Sequence, residues 1–391
     1  MKEENKMQIF FHIGRIKTGT TSIQHFLASN HKNLIKNNIY YGDYAQNWGG
    51  VPPAHFNVFY PFLKKLLQQL EFAHIAKEKL PAAQDFFVVM KKMIANAENT
   101  QCKKIIISCE NFSQICTFIK IYTGLYIDTD KLCDTVKKIF LELENILNVE
   151  CHFILYLREQ CSFLLSDYNQ AVKGGNFWGT FDEYVLGKLY TQDMDDVALT
   201  KIFTINDRLN VVSFEHTNSE LNKNFIKLID TNIETSDFID IEKRYNTSLS
   251  FDILRFRIFL RDKLPKKTPS GIYYEFIFEK FQEEYSTKYK AKLIPREQTI
   301  QAIEHAFQKT NKIIQRKYFS YLNEELYSQY IPAKNTTPPI PIPVIMVDFI
   351  EFLLKHNIEM EFTNTQEEFS ETFQEEKESE STILEQAETN S

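Results

Sequence analysis

Apolar and polar positions follow two different patterns along the first 230 residues. Short apolar runs at residues 8–13, 104–108, 152–157 and 210–214 are bounded by polar residues, as is typical of buried strands. Longer helix-like stretches lie between them, at 20–37, 131–147, 159–172 and 220–229, and the apolar residues of 131–147 fall on one stripe. The alternation predicts an α/β fold of three layers, with a central parallel sheet covered by helices on both faces.

The rest of the chain changes character twice. From about residue 250 to residue 330 the pattern becomes helical and more basic. Five prolines between residues 332 and 343 then predict an extended segment, because proline cannot continue a helix. We expect one domain over residues 1–330, a proline-rich linker over 331–343, a short amphipathic segment over 344–360 and a disordered acidic tail over 361–391.

The net charge of −7 is unevenly distributed. Residues 361–391 hold ten Glu and one Lys, a local charge of −9, so the first 360 residues carry only +2. A nearly neutral body gives no reason to expect nucleic acid as a partner. No apolar stretch is long enough to predict a transmembrane segment, and the charged N-terminus does not resemble a signal peptide.

The six cysteines lie within one 60-residue stretch and include no C-x-x-C pair. This spacing predicts neither a metal site nor a disulfide framework. The simplest interpretation is a cytoplasmic protein with reduced thiols.

The most informative segment is the stretch from Gly14 to Ser22, which reads GRIKTGTTS. It follows a predicted strand and begins a predicted helix, the setting in which backbone N–H groups and a helix N-terminus can bind phosphate. Gly14 and Gly19 keep the spacing of the nucleoside-triphosphatase loop, but Thr20 stands where that loop has lysine. The lysine is instead Lys17, so the segment suits a phosphate of a different donor. The alternative is a tight turn of small residues that binds nothing.

This segment resembles the phosphosulfate loop of sulfotransferases that use 3′-phosphoadenosine 5′-phosphosulfate (PAPS). The match is Lys17, Thr18, Gly19, Thr20 and Thr21, followed by Ser22, and the flanking residues resemble the bacterial, carbohydrate-type branch of that family. The resemblance implies a P-loop-type fold, binding of the donor's 5′-phosphate by these residues and no metal.

A second motif of the same family is present further along the chain. Arg158 follows the third predicted strand, and Ser166 lies eight residues later in the next helix. Ligands of open α/β sheets bind at the carboxyl ends of the strands, and a guanidinium offers paired donors to a phosphate. The resemblance implies that Arg158 and Ser166 bind the 3′-phosphate of the donor. The alternative for Arg158 is an exposed ion pair, for example with Glu159.

Sulfuryl transfer needs charge stabilisation at the leaving oxygen and a base for the acceptor hydroxyl. Lys17 is the candidate for the first role. Glu110, at the end of the second strand, and His55, in the loop region after the first helix, are both candidates for the base, and the sequence leaves the choice open.

We therefore expect a sulfotransferase whose acceptor is a hydroxyl or amine on a carbohydrate. Two alternatives remain open: an ATP-dependent kinase with a P-loop, and a non-catalytic nucleotide-binding module. The basic residues Arg255, Arg257, Arg261, Lys263, Lys266 and Lys267 could meet a polyanion, but a solvated helix face is the favoured interpretation. Trp48 and Trp178 could stack on a sugar ring, although their spacing does not distinguish this from ordinary packing.

Overall fold

The computed structural model describes residues 6–43, 53–189, 194–217, 220–239, 248–261, 263–264, 267–321 and 337–359. These residues fall into two compact units. The first unit comprises the described residues within 1–167, 185–246 and 296–331. The second comprises those within 168–184, 247–295 and 332–391.

A five-stranded parallel sheet forms the centre of the first unit. Its strands are β1 (Met7–His12), β2 (Ile39–Tyr40), β3 (Lys104–Ser108), β4 (Val149–Leu157) and β5 (Leu209–Ser213), in the spatial order β2-β3-β1-β4-β5. The four strands predicted from the sequence are confirmed, and β2 is an addition. Because all strands are parallel, the carboxyl ends of β1, β3 and β4 meet at one edge, with His12 paired to Ser108.

Helices of the described residues lie between and after the strands. Those before β3 are α1 (Thr20–Ser29), α2 (His31–Lys36), α3 (Phe56–Gln69), α4 (Ala73–Lys79) and α5 (Phe86–Asn99). Those between β3 and β5 are α6 (Ile115–Thr123), α7 (Thr129–Leu147), α8 (Gln160–Lys173), α9 (Phe181–Lys188) and α10 (Asp196–Phe203). Those after β5 are α11 (Phe214–Thr217), α12 (Leu221–Ile229), α13 (Phe251–Phe259), α14 (Tyr274–Glu284), α15 (Glu297–Tyr318) and α16 (Ile342–Lys355).

Alternate residues of the strands enter two separate cores, one on each face of the sheet. Phe11 and Ile107 pack on one face with apolar residues of α3, α5, α7 and α10. Phe10, Ile106 and Ile154 pack on the other face with α1, α2 and α12. Each strand is apolar on both sides because both sides are buried. The first unit is therefore compatible with the expected three-layer α/β/α architecture.

A separate aromatic core holds the second unit together. The ring of Phe349 on α16 lies 5.1 Å from that of Phe278 on α14 and 5.3 Å from that of Phe256 on α13. Helix α16 begins at Ile342, so the last two residues of the predicted proline-rich linker are helical. Pro343 fits there because the first turn of a helix has no partner for its N–H groups. Residues 331–336 of the linker, and the predicted tail over 361–391, lie outside the described residues.

One member of the basic run departs from the expected solvated face. Arg257 on α13 is only 3% exposed, whereas Arg255 is half-buried and Arg261 is exposed. Among the described residues, no helix is both long and apolar enough to cross a membrane.

Candidate functional site

The segment predicted to bind phosphate joins β1 to α1 in the first unit. Backbone hydrogen bonds attach its beginning to β4: Ile13 N donates to Ile154 O at 3.0 Å, and Arg15 N donates to Tyr156 O at 3.4 Å. Thr18 Oγ1 then donates a hydrogen bond to Arg15 O at 2.5 Å, which stabilises the turn over residues 15–18. We call residues 13–19 the β1–α1 loop.

Gly19 ends this loop in a conformation that other residues rarely adopt. Its φ of 76° is left-handed, and a Cβ atom at this position would lie 2.3 Å from Leu221 Cδ2. Gly19 is also the N-cap of α1, where it has no side chain to accept hydrogen bonds, and the first turn contains no acidic residue. The N-terminus of α1 therefore has the charge and the donors that suit an anion.

Lys17 and Arg158 are brought together by the fold. The Lys17 backbone is also left-handed, with a φ of 66°, which is unfavourable for a residue with a Cβ atom. Arg158 Nη1 donates to Lys17 O at 2.7 Å, so the arginine holds the lysine in this conformation. The two residues are 141 positions apart in the chain, and their contact places a second cation at the β1–α1 loop.

The surroundings of Arg158 keep it partly shielded from solvent. Its guanidinium carbon lies 5.2 Å from the centre of the Phe214 ring. Burial lowers the pKa of Arg158, while the negative charges of Glu215 and Glu159 act in the opposite direction. Arg158 stays protonated at neutral pH, since an arginine begins from a very high pKa. Ser166, the other half of the predicted motif, is half-buried on α8.

Glu110 also meets the start of α1. It is the first residue of a short 3-10 helix, Glu110–Gln114, that follows β3. Its Oε2 accepts a hydrogen bond from Thr20 Oγ1, and Ser113 Oγ donates to its backbone oxygen at 2.7 Å. A half-buried carboxylate thus lies directly beside the first residue of α1.

His55 occupies a different kind of position. It is fully buried, its Nε2 lies 2.9 Å from Gly42 O, and Ser108 N donates to its Nδ1 at 3.1 Å. These partners fix the tautomer, because Nδ1 accepts and Nε2 must then carry the proton. Burial lowers the pKa of His55 to about 4. Both ring nitrogens are therefore engaged with backbone groups.

Four contacts of the loop region were not predicted from the sequence. Arg15 forms a buried ion pair with Asp196 on α10 and stacks on the Phe163 ring at 4.5 Å. His12 Nδ1 and Gln24 Nε2 both contact Ser108 Oγ, at 2.8 and 3.3 Å. The contact of His12 with Ser108 had one sequence signal. Each is a polar residue at the end of an apolar run, because His12 ends β1 and Ser108 ends β3.

The described residues also form a cavity of about 670 Å³ along β5. None of the predicted site residues lines it; its walls come from β5, α11, α12 and the end of α15. Within the same described residues, no three His, Cys, Asp or Glu side chains are placed to hold a metal ion together.

Known proteins offer no direct comparison for this arrangement. No family description matches the chain, and neither the curated proteins nor the solved structures include a significant match.

Proposed function

We propose that this chain is a sulfotransferase that moves a sulfuryl group from PAPS to a hydroxyl or amine, with a carbohydrate as the acceptor. The observation that carries the proposal is the contact between Arg158 and Lys17 at a glycine-containing loop before a helix N-terminus. Two cationic residues and the N-terminus of α1 thus meet at one carboxyl edge of a parallel sheet, which favours an anionic nucleotide as the ligand.

The roles follow from the chemistry of the transfer. The S–O bond to the nucleotide phosphate breaks while a new S–O bond forms to the acceptor oxygen, and 3′-phosphoadenosine 5′-phosphate leaves. Lys17 stabilises the charge that grows on the departing oxygen. Thr18, Gly19, Thr20, Thr21 and Ser22 hold the 5′-phosphate, and Arg158 and Ser166 hold the 3′-phosphate.

Glu110 is the better candidate for the general base. Its carboxylate adjoins Thr20, the first residue of α1, where a donor held by the loop would present its sulfuryl group. His55 has no unoccupied nitrogen to accept a proton, because Ser108 N already donates to Nδ1. In this proposal His55 supports the end of β3, and Glu110 accepts the acceptor's proton.

Calorimetric titration tests the donor assignment. Without added metal, 3′-phosphoadenosine 5′-phosphate should bind and ADP should not. Arg158→Ala should weaken binding about tenfold or more, since hydrogen bonds to charged groups contribute ~1.5–3 kcal/mol. Arg316→Ala, which removes an exposed charge from α15, is the matched control and should leave binding unchanged. Equal binding of both nucleotides, or a requirement for magnesium, would favour the kinase alternative.

A second titration and an activity assay separate binding from chemistry. Glu110→Gln keeps the size of the side chain and an oxygen that can accept from Thr20, so nucleotide binding should persist. Transfer from PAPS to a panel of sugars should fall about 100-fold or more, as expected for loss of a general base. Unchanged transfer by Glu110→Gln would remove Glu110 from the proposed role.

A further inference from the structure

Among the described residues, Arg257 of the second unit is a buried cation without a hydrogen-bonded counter-ion. It lies on α13 and is 3% exposed. Its Nε and Nη1 atoms are buried and have no hydrogen-bond partner, and no ion pair among the described residues includes this guanidinium. Burying a charge is costly unless hydrogen bonds and opposite charge compensate it. The described residues therefore leave two buried donors of Arg257 unmet, and an acceptor on a ligand would satisfy them.

The guanidinium lies over the faces of two aromatic rings. Its carbon lies 4.4 Å from the centre of the Trp178 ring and 5.3 Å from that of Phe278. Rings attract a cation through their faces, but they accept no hydrogen bond from its in-plane N–H groups. Arg257 also stays charged at neutral pH, since burial lowers its pKa only to about 10. The unmet donors lie in the guanidinium plane, where a planar or tetrahedral oxyanion would bind.

A glycine-containing turn lies against the same guanidinium. Gly175 has a φ of +70°, and a Cβ atom at this position would be 2.9 Å from Arg257 Nη2. Only glycine combines this backbone conformation with so close an approach. Trp178 follows three residues later, so the segment from Gly175 to Trp178 covers Arg257. This segment is the part that must move to admit a ligand.

The local charge indicates which anion fits. Lys173, two residues before Gly175, is buried. Its charge is neutralised by Glu279, whose Oε1 lies 2.6 Å from Lys173 Nζ. Glu275 acts on Arg257 through its negative charge and makes no hydrogen bond to it. The charges of Arg257 and Lys173 are thus balanced by those of Glu275 and Glu279, so the surroundings hold no excess positive charge to attract a second negative charge on a ligand.

We propose that Arg257, covered by residues 175–178, forms a binding site for a monoanionic oxyanion, namely a carboxylate or a sulfate ester. A uronic acid or a sulfated sugar carries such a group. The site belongs wholly to the second unit, and its existence does not depend on the function proposed above.

The two tryptophans of the chain provide a direct assay. Trp48→Phe leaves Trp178, which stacks on Arg257, as the sole indole. Its fluorescence should change saturably with sodium glucuronate and with methyl sulfate at constant ionic strength, and should not respond to glucose. Sodium glucuronate supplies a carboxylate and methyl sulfate supplies a sulfate ester, so the assay shows which of the two anionic groups binds.

Three substitutions at two positions of the same helix provide the comparison. In the Trp48→Phe background, Arg257→Met should abolish the response, and Arg257→Lys should weaken it about tenfold or more because a lysine lacks the planar donors. Arg255→Met removes the neighbouring half-buried arginine and should leave the response intact. Arg257→Met should fold, because replacing an unpaired buried charge with an apolar side chain is often neutral or stabilising.

Three results would overturn the proposal. They are the absence of a saturable response to either monoanion, an undiminished response in Arg257→Met, and tighter binding of phosphate dianion than of glucuronate. If Arg257→Met does not fold, the fluorescence response of Arg257→Lys tests the proposal instead, and an undiminished response would overturn it. Calorimetry with 3′-phosphoadenosine 5′-phosphate on the Arg257 variants should be unchanged, which separates a failure of this proposal from a failure of the proposed function.

Discussion

At the scale of single residues, His55 and His12 are both buried as neutral imidazoles. Burial lowers the pKa of His55 to about 4 and that of His12 to about 3, from an ordinary value of 6.5. A group with a lowered pKa in the folded state stabilises the fold fully above the unfolded value, and this stability is lost as the pH falls towards the folded value. For His55 the window runs from pH 6.5 down to pH 4.

The chain should therefore lose stability on acidification. The His55→Gln variant should lose less stability over the same pH range than the unmodified chain. The shift of His55 corresponds to about 3 kcal/mol across its window. Thermal melts at pH 7 and pH 5 should show a smaller fall in the midpoint for His55→Gln than for the unmodified chain. His305→Gln, at an exposed position on α15, is the control and should melt like the unmodified chain at both values.

His55→Gln also examines the choice of base. Gln retains polar atoms that can reach backbone partners, so the end of β3 should stay in place and the proposed sulfuryl transfer should continue. A loss of transfer as large as that expected of Glu110→Gln, with nucleotide binding intact, would instead assign the base to His55.

The residues of the site differ in how far the sequence could indicate them. Lys17 to Ser22 form a local pattern, since the strand, the loop and the helix start are consecutive. Arg15 and Asp196 form an ion pair between positions 181 residues apart, and the sequence around neither residue predicts this pairing. The burial of Arg257 could not be predicted from the sequence either, because neighbouring basic residues on a helix predict a solvated face unless the packing partners are known.

At the scale of elements, the junction of the β1–α1 loop with α1 depends on Gly19. Gly19→Ala should destabilise the first unit by about 1–2 kcal/mol for the left-handed backbone, with a further loss from the contact with Leu221. Binding of 3′-phosphoadenosine 5′-phosphate should fall as well, because the N–H groups of α1 would shift. Chemical denaturation and calorimetry measure the two effects.

Gly124 provides the matched comparison for Gly19. It has a nearly identical φ of 74° and ends α6, but a Cβ atom there would meet nothing within 4 Å. Gly124→Ala should show the backbone cost alone and leave nucleotide binding unaffected. Equal losses for both variants would mean that the contact with Leu221 contributes nothing.

Helix α10 is attached to the β1–α1 loop by the ion pair of Asp196 with Arg15. Asp196→Asn should destabilise the first unit by about 3–5 kcal/mol, because it leaves a buried arginine without its partner charge. Lys201→Met removes an exposed ion pair of the same helix with Asp130 and should cause little change. Denaturation midpoints of the two variants test this contrast, and similar values would show that the buried pair is replaceable.

Element prediction succeeded where the pattern was long and failed where it was short or mixed. The four predicted strands were apolar runs of five or six residues, whereas β2 has only two residues and gives no pattern. Residues 250–330 were predicted to be helical and contain α13, but the bounds of this helix were not predicted, because it is buried on several sides and its apolar residues do not form a single stripe. Such helices are determined by tertiary packing, which the order of residues alone does not reveal.

At the scale of the whole molecule, two truncations from the C-terminal side should have different effects. Removal of residues 361–391 leaves α16 complete and should change neither the melting temperature nor nucleotide binding. Removal of residues 342–391 also deletes the buried side chains of Ile345, Phe349, Phe352 and Leu353. Burial of four such side chains contributes roughly 6–12 kcal/mol, which is comparable to the stability of a whole domain.

The shorter protein should therefore retain the first unit and lose the second. Limited proteolysis should cleave it within 248–295, and binding of an apolar dye should rise. A truncated chain that resists protease there would show that α16 is dispensable for the second unit.

The assembly of the second unit from three separated stretches of chain has a consequence during translation. Phe256 and Phe278 leave the ribosome roughly 70 to 90 residues before Phe349, the ring that covers them. At ordinary rates of synthesis, this interval is on the order of ten seconds. For that time the nascent chain exposes an unfinished aromatic surface, so a chaperone that recognises such surfaces should associate with it before residue 349 emerges and leave afterwards.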